Sequence, residues 1–197
     1  MLKNLLALLI IFLSILQGPF IYYYGGGFMS FVFILPYLFI GLILSSYLLY
    51  SIIAKKGITT KFHITALIFG VCLGTISLFS EDYFEKIDWH FRKGQREEII
   101  SRIKSGSIIY DANKSVHHLD EFKYALISNG GNDISISTNE KNQVMVEFFI
   151  NRGFLSHYSA FVYTDDPNEI KRLEKEIQSS YKENNFKITK NWYRLNY

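Results

Sequence analysis

The sequence predicts a membrane-embedded helical half followed by a small α+β domain, and three observations carry that prediction. The first 80 residues hold no carboxylate. Long apolar runs fill that stretch, broken only by short polar links. Beyond Gly106 the apolar residues switch to strand-like alternation, interrupted by one well-capped helix.

All 18 acidic side chains of the 197-residue chain lie at or beyond Glu81, and residues 1–80 carry only Lys3, Lys55, Lys56 and Lys61. A water-facing surface is about a quarter to a third charged, so this stretch has no solvated face. An apolar run of about 18 residues crosses a hydrocarbon core of ~30 Å at ~1.5 Å per residue. Three runs meet or approach that length, giving spans at about 5–24, 28–53 and 64–80.

The GGG at 25–27 is the turn between the first two spans. It is no phosphate cradle, since FMS follows where a Walker loop needs Lys-Ser/Thr. Pro19 and Pro36 fall inside spans, where membrane helices tolerate a kink. The first apolar run exceeds a signal-peptide core and no A-x-A-like site follows it, so it reads as an uncleaved anchor. Short lysine-rich loops stay cytoplasmic, and AKKGITTK holds three of the four lysines. That places the N-terminus inside, GGG outside and residues 81–197 outside the cytoplasm of a cell-membrane, multi-pass protein. In the third span Ala66, Gly70 and Gly74 form a small-xxx-small stripe. It suits packing within the bundle, or homo-oligomerisation through that span.

From Glu81 onward 18 acids meet 17 Lys plus Arg, so this half is formally −1 and the whole-chain +3 comes from the membrane half. A nucleic-acid surface needs a basic excess, and none exists here. RKGQR at 92–96 is followed at once by EE and reads as a solvated helix face or a break at Gly94. The single cysteine, Cys72, lies in the third span, so no disulfide staples the outer half.

Residues 81–106 form an amphipathic stalk helix. Tyr83, Phe84, Ile87 and Phe91, then Ile99, Ile100 and Ile103, follow the spacing of one buried stripe, and Gly106 stops the helix. Residues 107–197 are the α+β domain, an antiparallel sheet covered by at least one helix and expected to fold alone. Ile134 and Ile136 alternate with serines; NEKN at 139–142 turns the chain into a strand whose Val144, Val146, Phe148 and Ile150 share a face. Asn151-Arg152-Gly153 reads as a three-residue hairpin loop, placing Arg152 at its tip. Asp166-Pro167-Asn168-Glu169 supplies N-cap, N1 proline and capping-box glutamate for a helix over 167–182, with Ile170, Leu173 and Ile177 inward. FKIT and WYRLNY close the sheet.

The residues Phe148, Phe149, Arg152, Gly153, Leu155, Ser159, Phe161, Val162, Tyr163, Asp165 and Asp166, with the terminal pair Trp192 and Tyr193, are similar to the shared core of a group of small uncharacterised bacterial proteins. The resemblance spans at most the last 110 residues. This chain departs from it by carrying the helix at 167–182 where a shorter acidic loop is expected. It implies a domain boundary and, since no activity is known for that group, no mechanism.

The site candidates follow from chemistry. His117 and His118 with Asp120 are the most metal-like group, yet adjacent residues diverge on either a strand or a helix, so no metal and no cofactor is expected. His157 or His117, with Asp165 or Asp120, supply acid–base residue types without a nucleophile motif. Arg152 between Phe149 and Phe154 offers a planar donor fork beside aromatic surface, a combination enriched at binding hot spots. The expectation is therefore a binding protein rather than an enzyme, held in the lipid bilayer and displaying a domain that binds a protein, peptide or envelope component. The competing readings are a hydrolase at the membrane face and a protective, immunity-type membrane protein acting through its span bundle.

Overall fold

The computed structural model describes residues 2–25, 27–54, 61–79, 81–120, 122–152, 157–179 and 184–197. Lys55 and Lys56 of the lysine loop, and Gly153, Phe154, Leu155 and Ser156 of the central hairpin, lie outside the described residues. The chain divides into two compact units, Met1–Tyr22 with Met29–Glu85, and Tyr23–Phe28 with Lys86–Tyr197.

The first unit is built from α1 (Leu2–Tyr24), α2 (Gly27–Ile53) and α3 (Lys61–Phe79). Ile10 and Leu48 form its centre, with Leu6, Leu44, Ile52 and Leu67 packed around them. The small-residue stripe of α3 faces α1. A Cβ added at Gly70 would stand 2.5 Å from Ile10 Cγ2 and 3.3 Å from Ser14 Oγ, and Gln17 Nε2 donates to the Gly74 carbonyl at 3.0 Å. Ala66 is buried on the same line. His63 Nε2 and Asn4 Oδ1, 2.9 Å apart, satisfy each other.

Outward faces of these helices are apolar. Leu5, Phe12 and Ile15 on α1, Phe39, Leu42 and Ile43 on α2, and Ile68, Val71 and Ile76 on α3 are all exposed. Among the described residues one helical segment, Asn4–Tyr24, is long and apolar enough to cross a membrane; Leu38–Ile53 and Lys61–Ile76 are shorter apolar segments.

The second unit is α+β. Its six strands are β1 (His117–His118), β2 (Asp133–Thr138), β3 (Val144–Arg152), β4 (Tyr158–Thr164), β5 (Phe186–Thr189) and β6 (Trp192–Asn196). They form one antiparallel sheet in the order β1-β2-β3-β4-β6-β5. The expected turn at 139–142 joins β2 to β3, with Asn139 N donating to Gln143 O at 3.0 Å. The two-residue β1 had no sequence signal.

Both faces of the sheet are covered, which is why β3 is buried on successive residues rather than alternate ones. One face carries Phe149, Ala160, Val162, Tyr193 and Leu195 against Leu173 and Ile177 of α6 (Pro167–Ser179). The Asp166 carboxylate caps that helix by accepting from Asn168 N at 2.8 Å, as predicted, while Glu169 is engaged by Arg172 at 2.7 Å.

The other face is an aromatic layer of Phe148, Phe161, Tyr163 and Trp192, and α4 (Glu81–Lys104) lies on it. Trp89 sits 4.8 Å from Phe161 and 5.1 Å from Trp192, ring centroid to centroid. From Lys86 on, the helix expected as a separate stalk therefore belongs to the domain. It runs unbroken through Gly94 and ends as predicted. Ile103 O accepts from Gly106 N at 3.0 Å, Arg102 O accepts from Ser107 N at 2.9 Å, and Gly106 adopts φ +73°.

The buried stripe of α4 differs from expectation. Tyr83, Ile87 and Phe91 are exposed, while Asp88, Arg96, Ile99, Ile100 and Ile103 are buried. Arg96 belongs to the basic run predicted to face solvent. The reason is helical phase: at about 100° per residue, Ile87 and Arg96 stand half a turn apart, so the apolar spacing held two stripes and not one.

The hairpin also differs. β3 carries a bulge between Phe149 and Asn151, and Asn151 and Arg152 pair with Ser159 and Tyr158. Arg152 is thus the last rung of the strand rather than its tip. Ile150, expected to continue the face of Val146 and Phe148, is the bulged residue.

Candidate functional site

The segment Ser128-Asn129-Gly130-Gly131-Asn132-Asp133 sets the geometry around Arg152. Its short element α5 (Asn129–Asn132) contains Gly130, Gly131 and Asn132 at φ of 78°, 69° and 78°. A left-handed Asn is held there by its own amide: Asn132 Oδ1 accepts from Ile127 N at 2.7 Å and Nδ2 donates to Ala125 O at 3.0 Å. The turn delivers Asp133 into β2 at the start of the sheet.

The β3 bulge does the complementary work. One extra residue switches every later side chain to the opposite face, so Arg152 comes to share a face with Phe149 and Tyr158. Arg152 Nη1 donates to Asp133 Oδ2 at 2.5 Å, and its guanidinium carbon stands 4.8 Å from the Phe149 ring centroid. His118 Nδ1 lies 2.9 Å from Asp133 Oδ1. A Cβ at Gly130 would come within 2.9 Å of both Arg152 Nη1 and Asp133 Oδ2, and its φ of 78° favours glycine. The result is a line of polar contact, His118 to Asp133 to Arg152, ending on an aromatic face.

His118 opens onto a cleft of about 880 Å³ lined by residues of 107–120 together with Lys123 and Tyr124, whose polar lining includes Tyr110, Lys114, His117, Asp120 and Lys123. Ile109, which lines it, is 95% exposed, and Phe122, beside Lys123, is 100% exposed. Sequence reasoning missed Asp133, Gly130 and these two apolar residues. The Gly-Gly pair between Asn residues was the available signal for the turn; nothing local marks Asp133 as the partner of Arg152.

The acid–base candidates are not brought together. His157 and Asp165 flank the ends of β4, about 25 Å apart at ~3.3 Å per residue. His157 Nδ1 is 3.3 Å from Tyr197 O, in a separate cleft of about 280 Å³. Asp165 Oδ1 accepts from Val144 N at 2.8 Å, and its other oxygen pairs with Lys104. Asp120 Oδ1 accepts from Phe122 N at 2.9 Å in its own turn. His117 stacks edge-on to Tyr110 while His118 turns to Asp133, the divergence expected of neighbours on a strand. Among the described residues, no group of three or more His, Cys, Asp or Glu is placed to hold a metal ion.

One buried carboxylate was not foreseen. Glu147 lies on the α6 face of β3, accepting from the Tyr158 hydroxyl at 3.1 Å. Burial raises its pKa above the ordinary glutamate value, only partly offset by the Tyr158 hydroxyl and the Arg172 charge. A raised folded-state pKa means that this group favours the fold below its unfolded pKa, and that the contribution is lost as pH rises through the folded value. Glu147→Gln should therefore raise the urea midpoint at neutral pH, with the gain shrinking toward about pH 4. A midpoint difference constant across that range would show that burial does not govern Glu147.

No protein-family model, no curated protein and no solved structure matches the chain.

Proposed function

We propose that the protein is a multi-pass membrane protein whose α1, α2 and α3 cross the bilayer, with the N-terminus cytoplasmic and the α+β unit displayed outside the cytoplasm to bind a protein, peptide or envelope component. The observation carrying the membrane half is the apolar outer surface of the three helices. Contiguous exposed Leu, Ile and Phe at this density suit hydrocarbon and not water. The acid-free composition of residues 1–80 and the lysines of the second loop support the orientation.

The binding role is supported by the cleft at 107–124. Large exposed apolar residues beside lysines and tyrosines are the composition of interface anchors, and the Asp133–Arg152 pair stiffens the wall at His118. The same geometry disfavours the hydrolase reading, because His157 and Asp165 stand at opposite ends of β4 and Asp120 is engaged in its own turn.

One experiment addresses orientation and binding together. A membrane-impermeant amine crosslinker added to intact spheroplasts should join the protein to a partner, and Ile109→Ala, in the lining of the cleft, should weaken that product several-fold while leaving the thermal midpoint unchanged. Crosslinking that appears only after lysis would place the α+β unit in the cytoplasm. An undiminished product from Ile109→Ala would remove the cleft from the binding role.

A further inference from the structure

We infer that the cleft beside β1 takes an extended acidic peptide, which pairs its backbone with the open edge of β1 as an added strand and sets its carboxylates against Lys114 and Lys123. The inference rests on the binding role proposed for this cleft and names the chemistry of its occupant.

The edge is open because of how β1 is used. β1 ends the sheet, pairing with β2 on one side through His117 opposite Ile134 and His118 opposite Asp133. Just beyond it Leu119 N donates to Asn132 O at 3.1 Å. Backbone groups of an antiparallel strand face its neighbour on alternate residues. With Leu119 turned to β2, His117 is turned there too, and the N–H and C=O of His118 point away. No backbone group among the described residues meets them. Adjacent strand residues project their side chains to opposite faces, yet His117 and His118 both line the cleft. The cleft therefore runs along the edge of β1, where one residue of an added strand can exchange two hydrogen bonds with His118. The far edge of the sheet is guarded: β5 loses register against β6 between Lys187 and Thr189, and Lys187 pairs with Glu174 at 2.5 Å.

The side chains around that edge decide what the strand carries. Lys114 and Lys123 are exposed, line the cleft and form no salt bridge among the described residues. The two carboxylates of the lining are held in their own turns. Asp111 Oδ1 accepts from Asn113 N at 3.0 Å and from Asn113 Nδ2 at 3.2 Å, and Asp120 Oδ1 accepts from Phe122 N at 2.9 Å. The lysines are thus the charges left for a ligand, and carboxylates answer them. Ile109, exposed in the same lining, adds an apolar contact. Strand addition uses this combination, the main chain supplying affinity and alternate side chains specificity. A peptide that alternates acidic and apolar residues presents one kind on each face, so it offers carboxylates to the lysines and an apolar group to Ile109. An anionic glycan or lipid would answer the lysines but leave the strand edge unpaired.

The test uses the full chain in a non-ionic detergent and a fluorescein-labelled acetyl-Glu-Leu-Glu-Leu-Glu amide, read by fluorescence polarisation. The expected result is saturable binding that falls about ten-fold when the peptide carries Lys in place of Glu, or when the protein carries Lys114→Glu with Lys123→Glu. Lys141→Glu with Lys190→Glu, also exposed and outside the cleft lining, makes the same change of net charge and should leave the affinity unchanged. Two N-methylated forms of the peptide, blocked at the Glu or at the Leu amides, should differ by about ten-fold, because only alternate amides face β1. Equal affinity of those two forms, equal affinity of the acidic and basic peptides, or no saturable binding at about 1 mM acidic peptide would each overturn the inference. The same peptide in excess should suppress the crosslinked product in spheroplasts. If Ile109→Ala weakens that product while the peptide neither binds nor competes, the cleft takes another kind of partner: the inference fails and the binding role of the cleft survives. If Ile109→Ala leaves the product undiminished, the cleft loses its binding role and the inference falls with it.

Discussion

A chain cut to residues 107–197 is expected to lose cooperative unfolding, although its strands, turns and capped α6 are all present. Removing α4 uncovers the aromatic face of the sheet, where Ile134, Ile136, Val146, Phe148, Phe161 and Trp192 are now almost fully buried. Each such side chain contributes ~1.5–3 kcal/mol on full burial. Six of them partly uncovered amount to as much as the 5–15 kcal/mol that typically separates a folded domain from its unfolded chain. A piece of residues 86–197 keeps Trp89, Arg96 and the three buried isoleucines of α4 and should unfold in one urea transition. Near-ultraviolet circular dichroism distinguishes the two pieces. A sharp transition of equal midpoint from residues 107–197 would mean that α4 is a passenger on the sheet.

That boundary shows where the sequence was legible and where it was not. The turn at 139–142, the Asp166 cap and the glycine stop at Gly106 are local: each is decided by side chains within a few residues, and each stands in the structure as the sequence predicts. The strands β2 to β6 follow from alternation and turn chemistry for the same reason. What the sequence concealed depends on distant partners. Spacing alone does not say which of two apolar stripes on α4 meets the sheet, so Tyr83, Ile87 and Phe91, which the spacing places inward, stand exposed. A bulge is set by the facing strand, so the position of Arg152 at the last rung, and its pairing with Asp133 across 19 residues, could not be read from FFINRGF.

Arg96→Ala should be the most damaging single substitution in the α+β unit. The guanidinium is 1% exposed, in the middle of a helix predicted to show that residue to water. Its Nε and Nη2 both donate to the Ile127 carbonyl, at 3.0 and 2.8 Å, and Nη2 also pairs with the Asp88 carboxylate. Its planar carbon stands 4.7 Å from the Phe161 ring centroid. Asp88 is additionally bonded by the Tyr23 hydroxyl, so the arginine ties α4, the segment at Ile127 and the sheet into one network. Truncating it leaves a buried carboxylate without its cation, and breaking one side of such a pair costs about 3–5 kcal/mol. With a urea slope of about 1–2 kcal/mol per M, the midpoint of the detergent-solubilised full chain, followed by Trp89 and Trp192 fluorescence, should fall by about 1.5–5 M. Arg96→Lys should recover only part of the loss, since an ammonium lacks the planar fork that reaches Ile127 and Asp88 together. Replacing both partners, Arg96→Met with Asp88→Leu, should come closer to wild type than Arg96→Ala alone, because no buried charge then remains uncompensated. If Arg96→Ala moves the midpoint by less than about 0.5 M, the network is incidental, and α4 is held to the sheet by Trp89 and its isoleucines alone.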